Sequence, residues 1–210
     1  MKKLLIIILS IIALSTTAFA IEDKTNFYFK TNVGVASFKD DSLGGPQMDF
    51  FRTSLRKNIA SNFGLGVGYK FRDNLRSDIS LVHFTNLKMS PKNPNRSTTS
   101  CMNIVSASVY LDLYKFANGN RIFFSIGAGI ANINTRTVLE GQSYSLKSIN
   151  PYAKLELGSS IKISDDINFD FSYSWNEFGK NKNFKTSQGT LIKKTPYKSH
   201  NISAGLRFDI

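Results

Sequence analysis

The sequence predicts an all-β protein, an eight-stranded antiparallel transmembrane β-barrel with long external loops. Three observations carry that reading. The first twenty residues have the layout of an export signal. The rest shows eight runs of period-two alternation and no apolar stretch of the ~20 residues that a spanning helix needs. Within those runs the charges keep to one parity.

At the start of the chain, Lys2 and Lys3 form a positive region, Leu4 to Leu14 an apolar core, and Ala18-Phe19-Ala20 a small-residue cleavage site. The apolar run is too short for an anchor helix. The expected division is therefore a signal peptide over 1–20 and a barrel domain over 21–210. Export leaves two classes, a periplasmic or secreted domain or an outer-membrane barrel, whose strands show only alternating hydrophobicity.

The eight runs fall near 26–38, 60–72, 75–85, 102–116, 121–134, 148–163, 167–178 and 197–210. Short connections carry turn residues: Asp73-Asn74, Asn118-Gly119-Asn120 and Ser164-Asp165-Asp166. Long ones fall near 39–59, 86–101, 135–147 and 179–196, with 183–194 alternating enough for a projecting hairpin. Ten strands result if one long loop hides another membrane hairpin. Short periplasmic turns opposite long external loops are the asymmetry of outer-membrane barrels.

Parity makes the sharper demand, because Lys or Arg on a lipid face near the midplane costs about 2–4 kcal/mol. In the first run Phe27, Phe29, Val33 and Val35 oppose Lys30, Asn32 and Gly34. In the second, Phe63, Leu65, Val67, Tyr69 and Phe71 oppose Gly64, Gly66, Gly68, Lys70 and Arg72. In the third, Ile79 and Leu81 oppose Arg76, Asp78 and Ser80. In the fourth, Val105, Ala107, Val109, Leu111 and Leu113 oppose Ser106, Ser108, Tyr110, Asp112 and Tyr114. The fifth sets Phe124, Ile126, Ala128 and Ile130 against Ser125, Gly127 and Gly129. The sixth sets Leu155, Leu157 and Ile161 against Lys154, Glu156, Gly158 and Lys162. The seventh sets Phe169, Phe171, Tyr173 and Trp175 against Asn168, Asp170 and Ser172. The eighth sets Ile202, Leu206, Phe208 and Ile210 against Ser203, Gly205, Arg207 and Asp209.

The polar parity is rich in Gly and Ser, which suits a lumen that side chains must just fill. Aromatics gather near run ends, among them Phe27, Phe71, Phe116, Trp175, Phe178 and Phe208, as interfacial girdles do. The lumen network expected from parity comprises Lys70, Arg72, Arg76, Asp78, Asp112, Lys154, Glu156, Asp170 and Arg207, with Lys30, Lys162 and Asp209 beside them. Mixed charges in a narrow interior must pair, since an unpaired buried charge is costly. They form either a structural plug or a charge-lined pore, and the small strand number favours the plug.

With 27 Lys and Arg against 15 Asp and Glu, the chain carries a net charge of +12. That excess attracts anions. Export and the lack of any recognisable nucleic-acid motif exclude nucleic acid. The lone Cys101 cannot form an intramolecular disulfide. Basic residues concentrate in two external segments, Lys88, Lys92 and Arg96, then Lys180, Lys182, Lys185, Lys193 and Lys194. These are the candidate ligand-binding residues, and neutralisation of lipopolysaccharide phosphate accounts for them equally well.

No enzyme, cofactor or metal centre is expected. His83 and Thr85 share a face but have no acid beside them to orient a base, His200 is isolated, and Gly64, Gly66 and Gly68 do not complete a dinucleotide motif.

The final eight residues read Ser203-Ala204-Gly205-Leu206-Arg207-Phe208-Asp209-Ile210. They resemble the C-terminal pattern by which the barrel-assembly machinery selects its clients, with Gly205, Phe208 and Ile210 at its key positions and Ile where Phe is usual. The 21–210 segment as a whole resembles the small outer-membrane barrels of the opacity-protein and surface-antigen group, akin to the membrane domain of OmpA-like proteins. The resemblance implies a monomer among outer-membrane lipid and lipopolysaccharide, acting in adhesion or contact with host surface molecules. A structural envelope role and a narrow diffusion pore are the alternatives.

Overall fold

The computed structural model describes residues 26–39, 59–89, 96–139, 142–180, 184–186, 189–192 and 196–210. The expected signal segment, 1–20, lies outside them. Among the described residues ten strands form: β1 Phe27–Lys39, β2 Ile59–Arg72, β3 Leu75–Met89, β4 Arg96–Lys115, β5 Arg121–Leu139, β6 Gln142–Lys162, β7 Ile167–Lys180, β8 Phe184–Thr186, β9 Gly189–Ile192 and β10 Pro196–Asp209. Eight close into an antiparallel ring in the order β1-β10-β7-β6-β5-β4-β3-β2, and β8 pairs with β9 as a separate hairpin. The extra strands thus form a projecting hairpin and not a further membrane pair.

Closure satisfies the backbone of every barrel strand from its neighbours, which is what a hydrocarbon environment demands. The ring is sealed where β1 meets β10, Tyr28 opposite Asp209 through Lys39 opposite Lys198. Tight turns close the end where β1 begins. At one of them Gly119 adopts φ 85°, open to a residue without a side chain, and its N–H donates to Phe116 O at 3.0 Å.

Outward residues form an apolar belt. On β2, Phe63, Leu65, Val67 and Phe71 are exposed while Asn62 is buried; on β5, Ile126 and Ile130 are exposed while Ser125 is buried. Some nine residues per strand carry the belt, from 63 to 71 on β2, matching the ~25 Å apolar band of an outer-membrane barrel. Val67 sits at its middle. Val67→Arg is expected to cost about 2–4 kcal/mol in urea-induced unfolding from vesicles, whereas arginine at Thr85, above the belt, costs about 0–1 kcal/mol.

Tyr114 and Arg72 depart from the expected parity, and Phe178 from the expected aromatic girdle. A register shift between Asp112 and Tyr114 sets Tyr114 opposite Ile122, so it turns outward and packs on Phe116 at 4.7 Å. A second shift between Lys70 and Arg72 leaves Arg72 exposed at the barrel mouth and outside the lumen network. Each shift inverts the alternation beyond it. Phe178 joins no girdle: it keeps the inward parity of β7 and is fully buried.

The segments expected as loops at 86–101 and 135–147 are mostly strand. β5 and β6 stay paired from Arg121 opposite Ser160 to Leu139 opposite Gln142. Together with β4 they continue past the apolar belt as a projecting sheet.

Candidate functional site

The lumen has two halves. Towards the tight-turn end it is charged. Lys30 pairs with Asp78, whose side chain is 0% exposed, and donates to the Tyr110 hydroxyl at 2.6 Å. Lys154 pairs with Glu156 at 2.6 Å, and Glu156 also accepts from Ser125 at 2.9 Å and Ser172 at 2.7 Å. Three strands thus converge on one carboxylate. Arg76 lies between the rings of Tyr110 and Phe123, at 4.8 and 4.9 Å, with Asp112 at 3.9 Å. Arg207 stands 3.6 Å from Asp170 and donates to Ser160 at 2.9 Å. At the mouth Lys70 pairs with Asp209 at 2.6 Å, and Arg121 with Asp112 at 2.7 Å.

Cross-strand glycines make room for this layer. Tyr28 lies over Gly68, its register partner, and Phe123 over Gly158, where an added Cβ would come within 2.5 Å of the ring. An aromatic over a facing glycine is a device for filling a tight barrel. The cavity among these side chains measures about 70 Å³, room for a few waters.

The external half of the lumen holds an apolar cluster among buried Ser, Thr and Asn side chains. Phe38, Phe84, Leu87, Met102, Ile104, Ile133 and Phe178 are buried together. Phe178 stacks on Phe38 at 5.6 Å and meets Phe84 edge-on at 5.7 Å. Tyr152 closes the cluster and donates to Asn176 Oδ1 at 2.7 Å, between that cluster and the charged half.

Of the nine lumen residues expected from parity, the structure brings together Lys70, Arg76, Asp78, Asp112, Lys154, Glu156, Asp170 and Arg207, and leaves out Arg72. Lys162 is also outside, pairing with Asp165 at 2.7 Å at the turn. Sequence reasoning passed over Tyr28, Phe123 and Arg121. Tyr28 and Phe123 carry the inward parity of their strands, which was the available signal. Arg121 sits at a strand start, where periodicity is silent.

Among the basic residues assigned to external loops, Lys88, Arg96, Lys180 and Lys185 have their backbone in β3, β4, β7 and β8, so they ride on strands and not loops. Lys92, Lys182, Lys193 and Lys194 lie outside the described residues. In β10, Gly205 faces Asn32 and Asp170 across both seams, Phe208 faces Phe29, and the Ile210 N–H donates to Phe27 O at 3.0 Å.

Above the belt the outward face turns polar. His83 Nδ1 meets Asn103 Oδ1 at 2.7 Å and Thr85 donates to Ser61 O at 3.0 Å, so both side chains are held by amide and backbone oxygens. His200 Nδ1 meets the Tyr173 hydroxyl at 2.5 Å.

Comparison with known proteins places these features. The family model described as "Outer membrane protein beta-barrel domain" matches residues 6–208. A Rickettsia conorii protein named "Putative adhesin RC1281" is 31% identical over 255 residues, and a Rickettsia canadensis protein named "Putative adhesin A1E_05320" is 30% identical over 233, each alignment covering 100% of both chains. Among solved structures, Neisserial surface protein A is 17% identical with a TM-score of 0.58, covering 90% of this chain and 100% of its own. Ail, the attachment invasion locus protein of Yersinia pestis, is 14% identical with a TM-score of 0.53, covering 89% of this chain and 100% of its own. Both are similar in fold. The chain resides in the bacterial outer membrane and belongs to the outer-membrane protein β-barrel family.

Proposed function

We propose that this protein is an adhesin that contacts host surface molecules through its external face. The single observation that carries the reading is where the structure leaves room to act. The lumen is filled by ion pairs and an apolar cluster, so the projecting strands and the segments they carry are what a partner can reach. The adhesin names of the full-length Rickettsia relatives support the same reading.

The proposed contact residues are Lys88, Lys92, Arg96, Lys180, Lys182, Lys185, Lys193 and Lys194, acting by electrostatic capture of an anionic surface. The reading includes removal of residues 1–20 on export. It also includes recognition of Gly205, Phe208 and Ile210 by the assembly machinery.

Displaying the protein on a non-adherent bacterium is expected to confer binding to host cells, and replacing these eight cations by Gln to remove most of it. Unchanged adhesion in the substituted version, at equal surface level and with heat-modifiable migration intact, would overturn the electrostatic contact. No gain from the wild-type protein would favour a structural envelope role.

A further inference from the structure

We propose that the outer part of β6, Ser143 to Ile149, is a docking edge for an extended acidic segment of a host polypeptide, which joins the projecting sheet as its next strand. Resting on the adhesin reading, it names the class of partner and the backbone that takes it.

The edge begins where β7 leaves β6. At the tight turn the Ile163 N–H donates to Ile167 O at 2.9 Å, so odd-numbered residues of β6 turn their backbone groups toward β7. The Lys162 N–H, of the other parity, bonds Asn120 Oδ1 on the β5 side at 3.1 Å. Both registers of β6 run without a shift, so this parity holds to the tip. The β7 ladder ends with Ala153 opposite Glu177. The next pair in that register would be Pro151 with Gly179. Pro151 has no N–H to give, and Gly179 adopts φ 65°, which turns β7 out of the extended path. An added Cβ at Gly179 would come within 3.0 Å of the Pro151 ring, so a proline and a glycine together set the branch.

Beyond the branch, Ile149, Lys147, Ser145 and Ser143 keep this parity and present N–H and C=O groups to the open side. Among the described residues no strand pairs with them there, and β8 and β9 pair only with each other. On the other side β5 holds the stretch extended, from Ile149 opposite Asn132 to Ser143 opposite Val138. The stretch exceeds the mean natural strand of about 5–6 residues. Such an edge is a template for another chain. Glu177 has the outward parity of β7 and is partly exposed opposite Ala153, so the lipid band ends below the branch and the edge stands in water.

Charge selects the partner. The projecting parts of β4, β5 and β6 carry Arg96, Arg136 and Lys147 and, among the described residues, no Asp or Glu. Arg136 donates its Nε to Ser143 at 2.8 Å, which carries its charge over the edge strand. Lys147 lies on that strand, exposed on the same outward face, about 13 Å along from Ser143. Ile149 follows on that face, 72% exposed. A matching antiparallel strand has an apolar residue opposite Ile149, an acidic one opposite Lys147 and a second acidic one opposite Ser143. A second copy of this chain would set the same cations against each other. In a shared membrane its β6 would also run parallel to this one, the weaker pairing.

Full-length mature protein in nanodiscs is titrated with a labelled peptide of that pattern, acetyl-Thr-Val-Thr-Glu-Thr-Val-Thr-Glu-Thr-amide. Saturable binding is expected, with slowed amide hydrogen exchange at Lys147 and Ser145. Methylating the backbone nitrogens of the valines and glutamates, which face β6, is expected to abolish binding. Methylating those of the threonines, which face away, is expected to leave it. Ser145→Pro removes one edge N–H that β5 does not use. It is expected to weaken binding roughly tenfold, the worth of one such bond, with heat-modifiable migration unchanged. Lys147→Glu is expected to weaken binding by a similar factor, and a peptide with lysine in place of both glutamates not to bind.

Binding that ignores which nitrogens are methylated, or that survives Ser145→Pro unchanged, would overturn strand addition in favour of plain charge attraction. No binding of the unmethylated peptide would overturn the docking edge. Concentration-dependent dimers of the unliganded protein that Ser145→Pro dissolves would give the edge to a second copy and overturn the assignment to a host segment. Displayed on a non-adherent bacterium, the protein separates this proposal from the adhesin reading. Adhesion that Ser145→Pro leaves intact keeps the adhesin and sinks the edge. Peptide binding without any gain of adhesion keeps the edge as a strand acceptor and sinks its host partner.

Discussion

Asp78→Ala is expected to destabilise the barrel by about 3–5 kcal/mol, the cost of stranding a buried charge. The Asp78 side chain is completely buried and carries the ion pair with Lys30, while the Tyr28 hydroxyl lies 3.4 Å from the same carboxylate oxygen. Removing it leaves the Lys30 ammonium inside the wall with the Tyr110 hydroxyl as its near partner. The loss should appear as a lower urea midpoint for unfolding from vesicles, followed by heat-modifiable migration. The double variant Lys30→Met, Asp78→Leu separates the pair's net worth from the cost of breaking it. It should recover most of the loss, because well-packed apolar residues commonly replace buried pairs at little cost. A change below about 1 kcal/mol for Asp78→Ala, the range of a surface ion pair, would mean that water reaches Lys30 freely.

Phe178→Ala should cost about 3–5 kcal/mol, the range for emptying a buried aromatic site. The Phe178 ring touches Phe38, Phe84 and Tyr152, with centroids 5.6, 5.7 and 5.3 Å away, so its removal leaves a void bounded by three other strands. Phe178→Leu should cost less than half as much, because it keeps most of the volume. The same filled cross-section predicts that unsubstituted protein in a planar bilayer passes no steady current. A stable open channel would contradict the packing of both halves and revive the narrow-pore reading.

The membrane-spanning part of the fold was legible because lipid enforces a rule on every second residue. Where the belt runs, Phe63, Leu65 and Val67 must alternate with Gly64 and Gly66, and the pattern announces itself. Above the belt the rule lapses. Asn132, Asn134 and Arg136 meet water or sugar and need not be apolar, so the upper strands of β4, β5 and β6 read as loops although their hydrogen-bonded ladder continues. Arg72 and Tyr114 were misplaced for a different reason: one extra residue at a bulge reverses parity without changing composition. Phe178 carried two conflicting signals, an aromatic near a strand end and an inward parity. Parity prevailed because the lumen at that height is wide enough for rings to interlock. The charged set was readable from the same alternation, but its pairings were not. They depend on which strands face each other across the lumen, as Lys30 of β1 reaches Asp78 of β3 past β2.

The continuous pairing of β4, β5 and β6 from one end to the other has a mechanical consequence. If a partner holds the tip near Leu139 and Gln142 and pulls away from the cell, the force runs parallel to the strands. The rungs between β4 and β5, from Arg96 opposite Leu139 to Lys115 opposite Arg121, then resist together in shear instead of parting one at a time. Tension on the tip passes straight into the closed wall in the bilayer. A surface protein built this way grips as a fixed bracket.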